Sequence, residues 1–487
     1  MSVESAGTLV SSPSGTRPGE TQSDGTRPAR PLHVAVNASE RLFRARRISA
    51  TFGRIYLGAK ANQLIARHLQ PPDMDARWRD FHRTSAKSIL GLALQLRGLI
   101  LKGCQFLGAR ADVLPPEYVT TLAKLQDRVP AKSFRIVREI VSSELERPLE
   151  EVFAEFDPIP IAAASLAQVH EARLHDGRRV AVKVQYPDIA QQVRGDLANL
   201  RTLFRALGYL EPDFDLLPII DELGGQVPRE LDFENEGRNA EAIGALLSHR
   251  NDIATPEIVW EHTRRRVLVM EFLEGIKITD LEGLRAAGVD PEWASRTLVD
   301  VFAEQILQHG HFHADPHPGN LLVDPNGPRL LLLDFGLTKE LPSTFRTGVL
   351  GLVSSLMQGD VDAMGRALAD LGFEVRDGRP EALRDVAQLI LRIGQEARDR
   401  GSLDPESLAR VREEIPKRVR ENPIVRIPHH LVLLGRTLGL LSGVSRSLGT
   451  RVDLFRVAVP YAFAPPPSAA SAPNPPPAHE PGDTASG

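Results

Sequence analysis

The chain has 487 residues, 42% hydrophobic and 25% charged, an ordinary globular balance with length enough for two or three cores. A net charge of −4 leaves no broad basic field, so nucleic acid is not an expected partner. A single cysteine, Cys104, excludes an internal disulfide framework and a cysteine-rich zinc site, and fits a reducing, cytoplasmic setting.

Residues 1–35 are rich in Ser, Gly, Thr and Pro and predict a disordered tail. From about Arg44 to Gln126 the pattern is helical, with Leu90, Leu94, Leu96, Ile100, Leu101 and Leu107 spaced to build one apolar face. Leu114-Pro115-Pro116 breaks that pattern, and a further helix is expected from Tyr118. The text from Phe134 to Val184 reads as strands, β-like over residues 158–169 and 179–185, with His175-Asp176-Gly177 as a hairpin turn. Helix returns over residues 190–250, a strand is predicted from Arg265 to Glu271, and the rest is mainly helical apart from a strand pair around 324–333. This order predicts a helical extension over 36–130, a strand-rich lobe over 131–275, a helical lobe over 276–460 and a Pro-rich tail over 461–487. No signal peptide is expected, because the N-terminus lacks a basic start followed by an apolar run, and no spanning helix, because Arg97 and Lys102 interrupt residues 89–107 and Arg436 interrupts residues 431–444. Peripheral attachment to a membrane or lipid stays open.

The chemistry concentrates late in the chain. Residues 313–320 read HADPHPGN, and Asp334-Phe335-Gly336 follows an apolar run at 330–333. An acid at Asp315, an amide at Asn320 and a second acid at Asp334 stand in the order of a kinase-type catalytic-loop Asp, metal-ligating Asn and metal-ligating Asp. The phosphates of a nucleotide carry concentrated negative charge, and Mg²⁺ against them requires hard oxygen ligands. A polar loop beside an ordinary strand explains the tripeptide alone but not the ordered set.

Upstream, Val180-Ala181-Val182-Lys183-Val184 is a short apolar strand carrying one lysine. Most lysines are solvated. Here Ala162, Ala163, Ala164 and Ser165 precede the strand as a small-residue segment suited to close approach of backbone to phosphate, so Lys183 is read as the phosphate grip. Glu230, Asp232, Glu234 and Glu236 cluster at a helix start, where the dipole favours acids, and Glu236 is the candidate partner of Lys183. A solvated acidic turn explains Glu234 well. It explains Glu230 and Asp232 less well, since Leu231 and Phe233 force their neighbours into differing environments. His313 and His317 are expected to shape the loop by hydrogen bonding, since their spacing and the intervening prolines do not make a helical zinc motif. Ser165 has no histidine–acid partner in view, which disfavours acyl transfer.

These motifs resemble the UbiB family of atypical protein-kinase-like proteins, also called the ADCK or aarF group, over about residues 85–455. The likeness rests on the AAAS segment at 162–165, VAVK ending at Lys183, the ExD segment from Glu230 to Asp232 with Glu236 following, HADPHPGN and DFG. LPPEY at 114–118 and QDRVP at 126–130 look like the family's N-terminal extension. Its KxGQ signature aligns with Lys102-Gly103-Cys104-Gln105, so cysteine stands in the glycine position. The resemblance implies that Lys102 and Gln105 reach over the site towards Glu230 and Asp232, filling the groove where a protein substrate would lie. No APE-like segment follows Gly336; the chain is read as passing directly into Leu341-Pro342-Ser343 and a helix.

The expected fold is therefore α+β, a two-lobed protein-kinase-like domain with a helical N-terminal extension. ATP would bind between the lobes, with Met270, Glu271 and Leu273 at an adenine hinge and Asn320 and Asp334 on Mg²⁺. Asp315 would position or deprotonate the nucleophile, which is water or a hydroxyl of a small molecule or lipid. The resemblance links such proteins to isoprenoid quinone and lipid metabolism. An aminoglycoside- or choline-type phosphotransferase and a non-catalytic nucleotide-binding scaffold are the other readings.

Overall fold

The computed structural model describes residues 38–69, 72–108, 114–122, 131–210, 217–375, 383–388, 391–392, 425–426 and 428–450, with scattered positions from 452 to 463. The expected tails, apart from Tyr461 and Phe463, and the QDRVP segment lie outside the described residues.

The extension opens with helices α1 (Ala38–His68), α2 (Met74–Leu96), α3 (Gly98–Gly108) and α4 (Pro116–Leu122). Residues 89–107 look continuous in sequence, but the chain turns sharply at Arg97 (φ +56°, ψ −156°) and Gly98 (φ +53°). The Arg97 N–H still donates to the Ala93 carbonyl at 2.8 Å, closing α2 before the turn. Two helices therefore replace one, and the expected single face does not form. Leu94 is 55% exposed, whereas Leu92, Ala93 and Leu96 are buried, followed on α3 by Leu99, Ile100, Leu101 and Cys104.

The strand-rich lobe begins with α5 (Phe134–Leu145), α6 (Leu149–Val152), β1 (Phe153–Phe156), β2 (Ala162–Ala163), β3 (Ala167–Leu174) and β4 (Arg179–Gln185). The chain continues through α7 (Ile189–Leu210), α8 (Leu217–Glu230), α9 (Phe233–Leu246) and β5 (Ile253–Ala254) to β6 (Val267–Glu271), which returns to this lobe's sheet. The strand expectation for the segment opening at Phe134 is corrected: α5 buries Val137, Ile140, Val141 and Leu145, a helical spacing that outweighs their β-branched content. The expected strand over 158–169 shrinks to β2 and the start of β3. Pro158 and Pro160 lack the N–H a ladder needs. Strands run β1-β3-β4-β6, antiparallel, with β2 on the edge of β3. One core joins this sheet to α5 through Val180, Val182, Val267 and Val269. A separate core joins α1–α4 to α7 and α8. There, the buried Arg44 donates from Nε to Asp196 at 2.9 Å and from Nη1 to the Leu96 carbonyl at 2.7 Å, fastening α1 to α7 and to the end of α2.

The larger lobe holds β7 (Ile276–Lys277), α10 (Leu281–Ala286), α11 (Pro291–Glu304), β8 (His311–His313), β9 (Leu321–Asp324), β10 (Arg329–Leu332) and β11 (Thr338–Glu340). Then follow α12 (Phe345–Gln358), α13 (Val361–Asp370), the short pair β12 (Glu374–Val375) and β13 (Val425–Arg426), and α14 (His429–Ser447). Strands β5-β10-β9-β7 form a second sheet, and β8 pairs with β11. The expected direct passage from Gly336 to a helix is corrected: β11 first folds back on β8, setting Thr338 opposite His313. The central core, with Phe233, Phe302, Phe312 and Phe335 fully or almost fully buried, lies directly beneath the loops that carry the chemistry. Among the described residues, no helix is long and apolar enough to cross a membrane.

Candidate active site

Lys183 enters from β4, where Val180, Val182 and Val184 are buried on one face. Its ammonium donates to both oxygens of Glu236, at 2.7 and 2.9 Å. Glu236 sits in the first turn of α9, whose N-cap is Asp232: the Asp232 carboxylate accepts from Asn235 N–H at 3.3 Å. Burial works to lower the Lys183 pKa, but Asp334 and Glu236 outweigh it and raise that pKa. Burial, with repulsion from Asp334, lifts the Glu236 carboxyl to about 7 against the pull of Lys183.

The loops of the larger lobe are wired around His313. Its Nδ1 accepts the Asp315 N–H at 3.2 Å, so the proton belongs on Nε2, which donates to the Asp334 carbonyl at 2.8 Å. This fully buried ring thereby ties the Asp315 loop to the Asp334 loop. His317 performs a local version of the same task, its Nδ1 accepting the Gly319 N–H at 3.1 Å. Asn320 donates through Nδ2 to the Asp315 carbonyl at 3.2 Å, which leaves its amide oxygen for another partner. Asp334 adopts a left-handed conformation (φ +57°), a strained setting that Asp tolerates better than most residues. Its Oδ1 accepts the Gly336 N–H at 3.3 Å and its Oδ2 lies 3.3 Å from Lys183. A Cβ at Gly336 would come within 3.2 Å of that Oδ1, so glycine permits the close approach. The Asp334 side chain is 48% exposed; desolvation by the surrounding protein would raise its pKa, but Lys183 and Lys102 prevail and hold it down to about 2. Asn239 of α9 donates to the Phe335 carbonyl at 3.0 Å, linking the Glu236 helix to the Asp334 loop.

From the extension, Lys102 of α3 reaches Glu230 at 2.9 Å. The second Glu230 oxygen is buried with no hydrogen-bond partner among the described residues. Burial would lower the Lys102 pKa, but Glu230, Asp315 and Asp334 together raise it, so its charge acts on Asp315 and Asp334 as well as on Glu230. Asp232 caps α9, and the Gln105 side chain lies outside the described residues. The Ala-rich segment forms β2 and a tight turn, Ala164 N–H donating to the Ala167 carbonyl at 2.8 Å, with Ser165 buried. Ala162 stands opposite Val169, which stands opposite Lys183, so the segment shares the register of the lysine. Met270 and Glu271 end β6, and Leu273 follows on the link to β7, the strand-to-strand passage between the lobes.

One contact has no counterpart in the motif reading. Arg436 of α14 donates from Nη2 to Asp315 Oδ1 at 2.9 Å, and its neighbour Thr437 donates to the Ala314 carbonyl at 3.2 Å. In sequence Arg436 is only a charge interrupting an apolar run, and nothing in its spacing points to residue 315.

Among the described residues, no cluster of three or more His, Cys, Asp or Glu could cage a metal ion. The Asp334 carboxylate and the Asn320 amide oxygen are two hard oxygen donors. That set suits Mg²⁺ arriving with nucleotide phosphates and water, the usual way this ion is held. The residues fit the ion on that ground.

The ABC1 atypical kinase-like domain profile matches residues 124–368, ending before α14. AarF domain-containing protein kinase 1 of Xenopus tropicalis is 36% identical over 382 residues, covering 76% of this chain and 72% of that protein. The Arabidopsis thaliana protein ACTIVITY OF BC1 COMPLEX KINASE 8, chloroplastic, is 34% identical over 401 residues, covering 76% of this chain and 52% of its own. Among solved structures, a Mycobacterium tuberculosis protein in complex with erythromycin shares the fold. Its TM-score is 0.51 at 22% identity, covering 80% of this chain and 100% of that one.

Proposed function

This chain belongs to the ABC1 atypical kinase-like family, the AarF or UbiB group, and we propose that it binds ATP with Mg²⁺ between its lobes and cleaves the γ-phosphoryl group. The acceptor in this reading is water or the hydroxyl of a small molecule or lipid, in the service of isoprenoid quinone or lipid metabolism. The observation that carries it is the triad of Lys183, Glu236 and Asp334, in which one partly buried lysine meets two acids on separate elements.

In that reading Lys183 neutralises the α/β-phosphates, and Glu236 fixes its direction. The Ala162–Ser165 turn lies over the phosphates, and the 270–273 link frames the adenine. Mg²⁺, held through Asn320 and Asp334, supplies charge neutralisation of the phosphates. Asp315 orients the acceptor hydroxyl and takes its proton, so the chain's contribution is positioning and preorganised charge. The 2.9 Å pair of Lys102 and Glu230 supports a small acceptor over a docked peptide, because the extension places a cation beside the acids of the groove.

The test is ATP turnover by the purified full chain with Mg²⁺, alone and with vesicles carrying a phenolic lipid. Turnover is expected, with about a hundredfold loss in Asp334→Asn. Tight nucleotide binding without turnover by the wild type would instead favour the scaffold reading. Equal turnover in the two proteins would remove Asp334 from its role.

A further inference from the structure

In the protein-kinase catalytic loop H-R-D a basic residue stands between the histidine and the aspartate. Here that position is Ala314, fully buried, and residues 313–320 contain neither Lys nor Arg. The cation on Asp315 comes from 121 positions away, on α14. We propose that Arg436 is the positioning residue for Asp315, and that α14 clamps the catalytic loop through it. The assignment rests on the proposed phosphoryl chemistry at Asp315.

Two consecutive helix residues grip two consecutive loop residues. Thr437 is fully buried and holds the Ala314 carbonyl, fixing the backbone, while Arg436 holds the side chain that follows it. Helix α14 is itself held from below: Leu433, Leu441 and Val444 are buried, and Ser445 is 2.8 Å from Ser295 of α11. The clamp is therefore mounted on the core of the larger lobe and not on a surface loop.

The hydrogen bond engages a single oxygen. Arg436 takes Asp315 Oδ1, and among the described residues Oδ2 has no hydrogen-bond partner. A carboxylate pinned through one oxygen presents the other in a fixed direction, which an acceptor hydroxyl requires. The Asp315 main chain is set separately, its carbonyl accepting from His317 N–H at 2.7 Å and from Asn320 Nδ2. Backbone and carboxylate are thus oriented by different groups, and Arg436 is the only described residue that hydrogen-bonds to the carboxylate. Both side chains keep about a fifth of their surface in solvent, an exposure at which an ion pair adds little to folding.

The experiment compares ATP turnover of the full chain with Arg436→Ala, Arg436→Gln and Arg436→Lys, with thermal unfolding as the folding control. Arg436→Ala and Arg436→Gln are expected to lower kcat about 10- to 100-fold with the ATP KM within about twofold of wild type. Lysine should recover part of the loss, and guanidinium ion at millimolar concentration should rescue Arg436→Ala while leaving the wild type unchanged. If Arg436→Ala does not fold, the shorter, neutral but still polar Arg436→Gln carries the kcat measurement. Wild-type turnover with an undiminished kcat in the glutamine variant would overturn the assignment alone. So would a parallel loss of kcat and ATP affinity with no effect of lysine or guanidinium. Absence of turnover in the wild type would overturn the underlying chemistry, and the assignment with it.

Discussion

Two cations approach one groove from opposite ends of the chain, Lys102 on α3 and Arg436 on α14, yet they meet their acids in different surroundings. Glu230 is 7% exposed beneath Lys102, whose own side chain is 28% exposed, and Lys102 is its one described cation. Asp315 and Arg436 are 23% and 22% exposed. Removing its cation strands Glu230 as a charge enclosed by protein, whereas Asp315 keeps water that screens it. The same kind of contact therefore bears on stability at the extension and on geometry at α14.

The largest expected effect tests that division on folding. Lys102→Ala should destabilise the chain by about 3 kcal/mol, since Glu230 already has one oxygen without a partner. Arg436→Gln should cost under about 1 kcal/mol. Replacing both Lys102 and Glu230 by neutral residues should recover most of the first loss, and denaturant midpoints of the four proteins measure all three. Equal costs for Lys102→Ala and Arg436→Gln would break the comparison.

A smaller effect appears in acid. The Asp334 pKa is lowered from 3.8 to about 2, so the folded chain releases this proton more readily than the unfolded one. Its contribution to stability is present above about pH 4 and lost as pH falls towards 2. Lys102 is one source of the depression and Arg436 is not among its main causes. Lys102→Ala should therefore move the acid unfolding limb to higher pH, and Arg436→Gln should leave it in place. An unmoved limb in Lys102→Ala would separate the extension from Asp334.

The sequence exposed this site unevenly. Lys183, Asp315, Asn320 and Asp334 are legible because each sits in a short segment whose neighbours dictate its setting, such as the valines of β4 or the apolar run before Asp334. Glu236 could be picked from its acidic cluster because the buried Phe233 fixes how α9 begins. Segment 134–145 misleads because β-branched residues carry a strand preference that a helical spacing overrides. The turn at Arg97 is invisible because it rests on two backbone angles and no side-chain pattern. Arg436 is illegible for a different reason: its partner is 121 residues distant, and only the packing of α14 on α11 brings them together.

The most direct measurement of the central claim is calorimetric titration of ATP into the full chain, with Mg²⁺ and with a chelator. Wild type should gain at least about tenfold in affinity from Mg²⁺, and Asp334→Asn should lose this gain. Equal affinity with and without the ion in both proteins would contradict it.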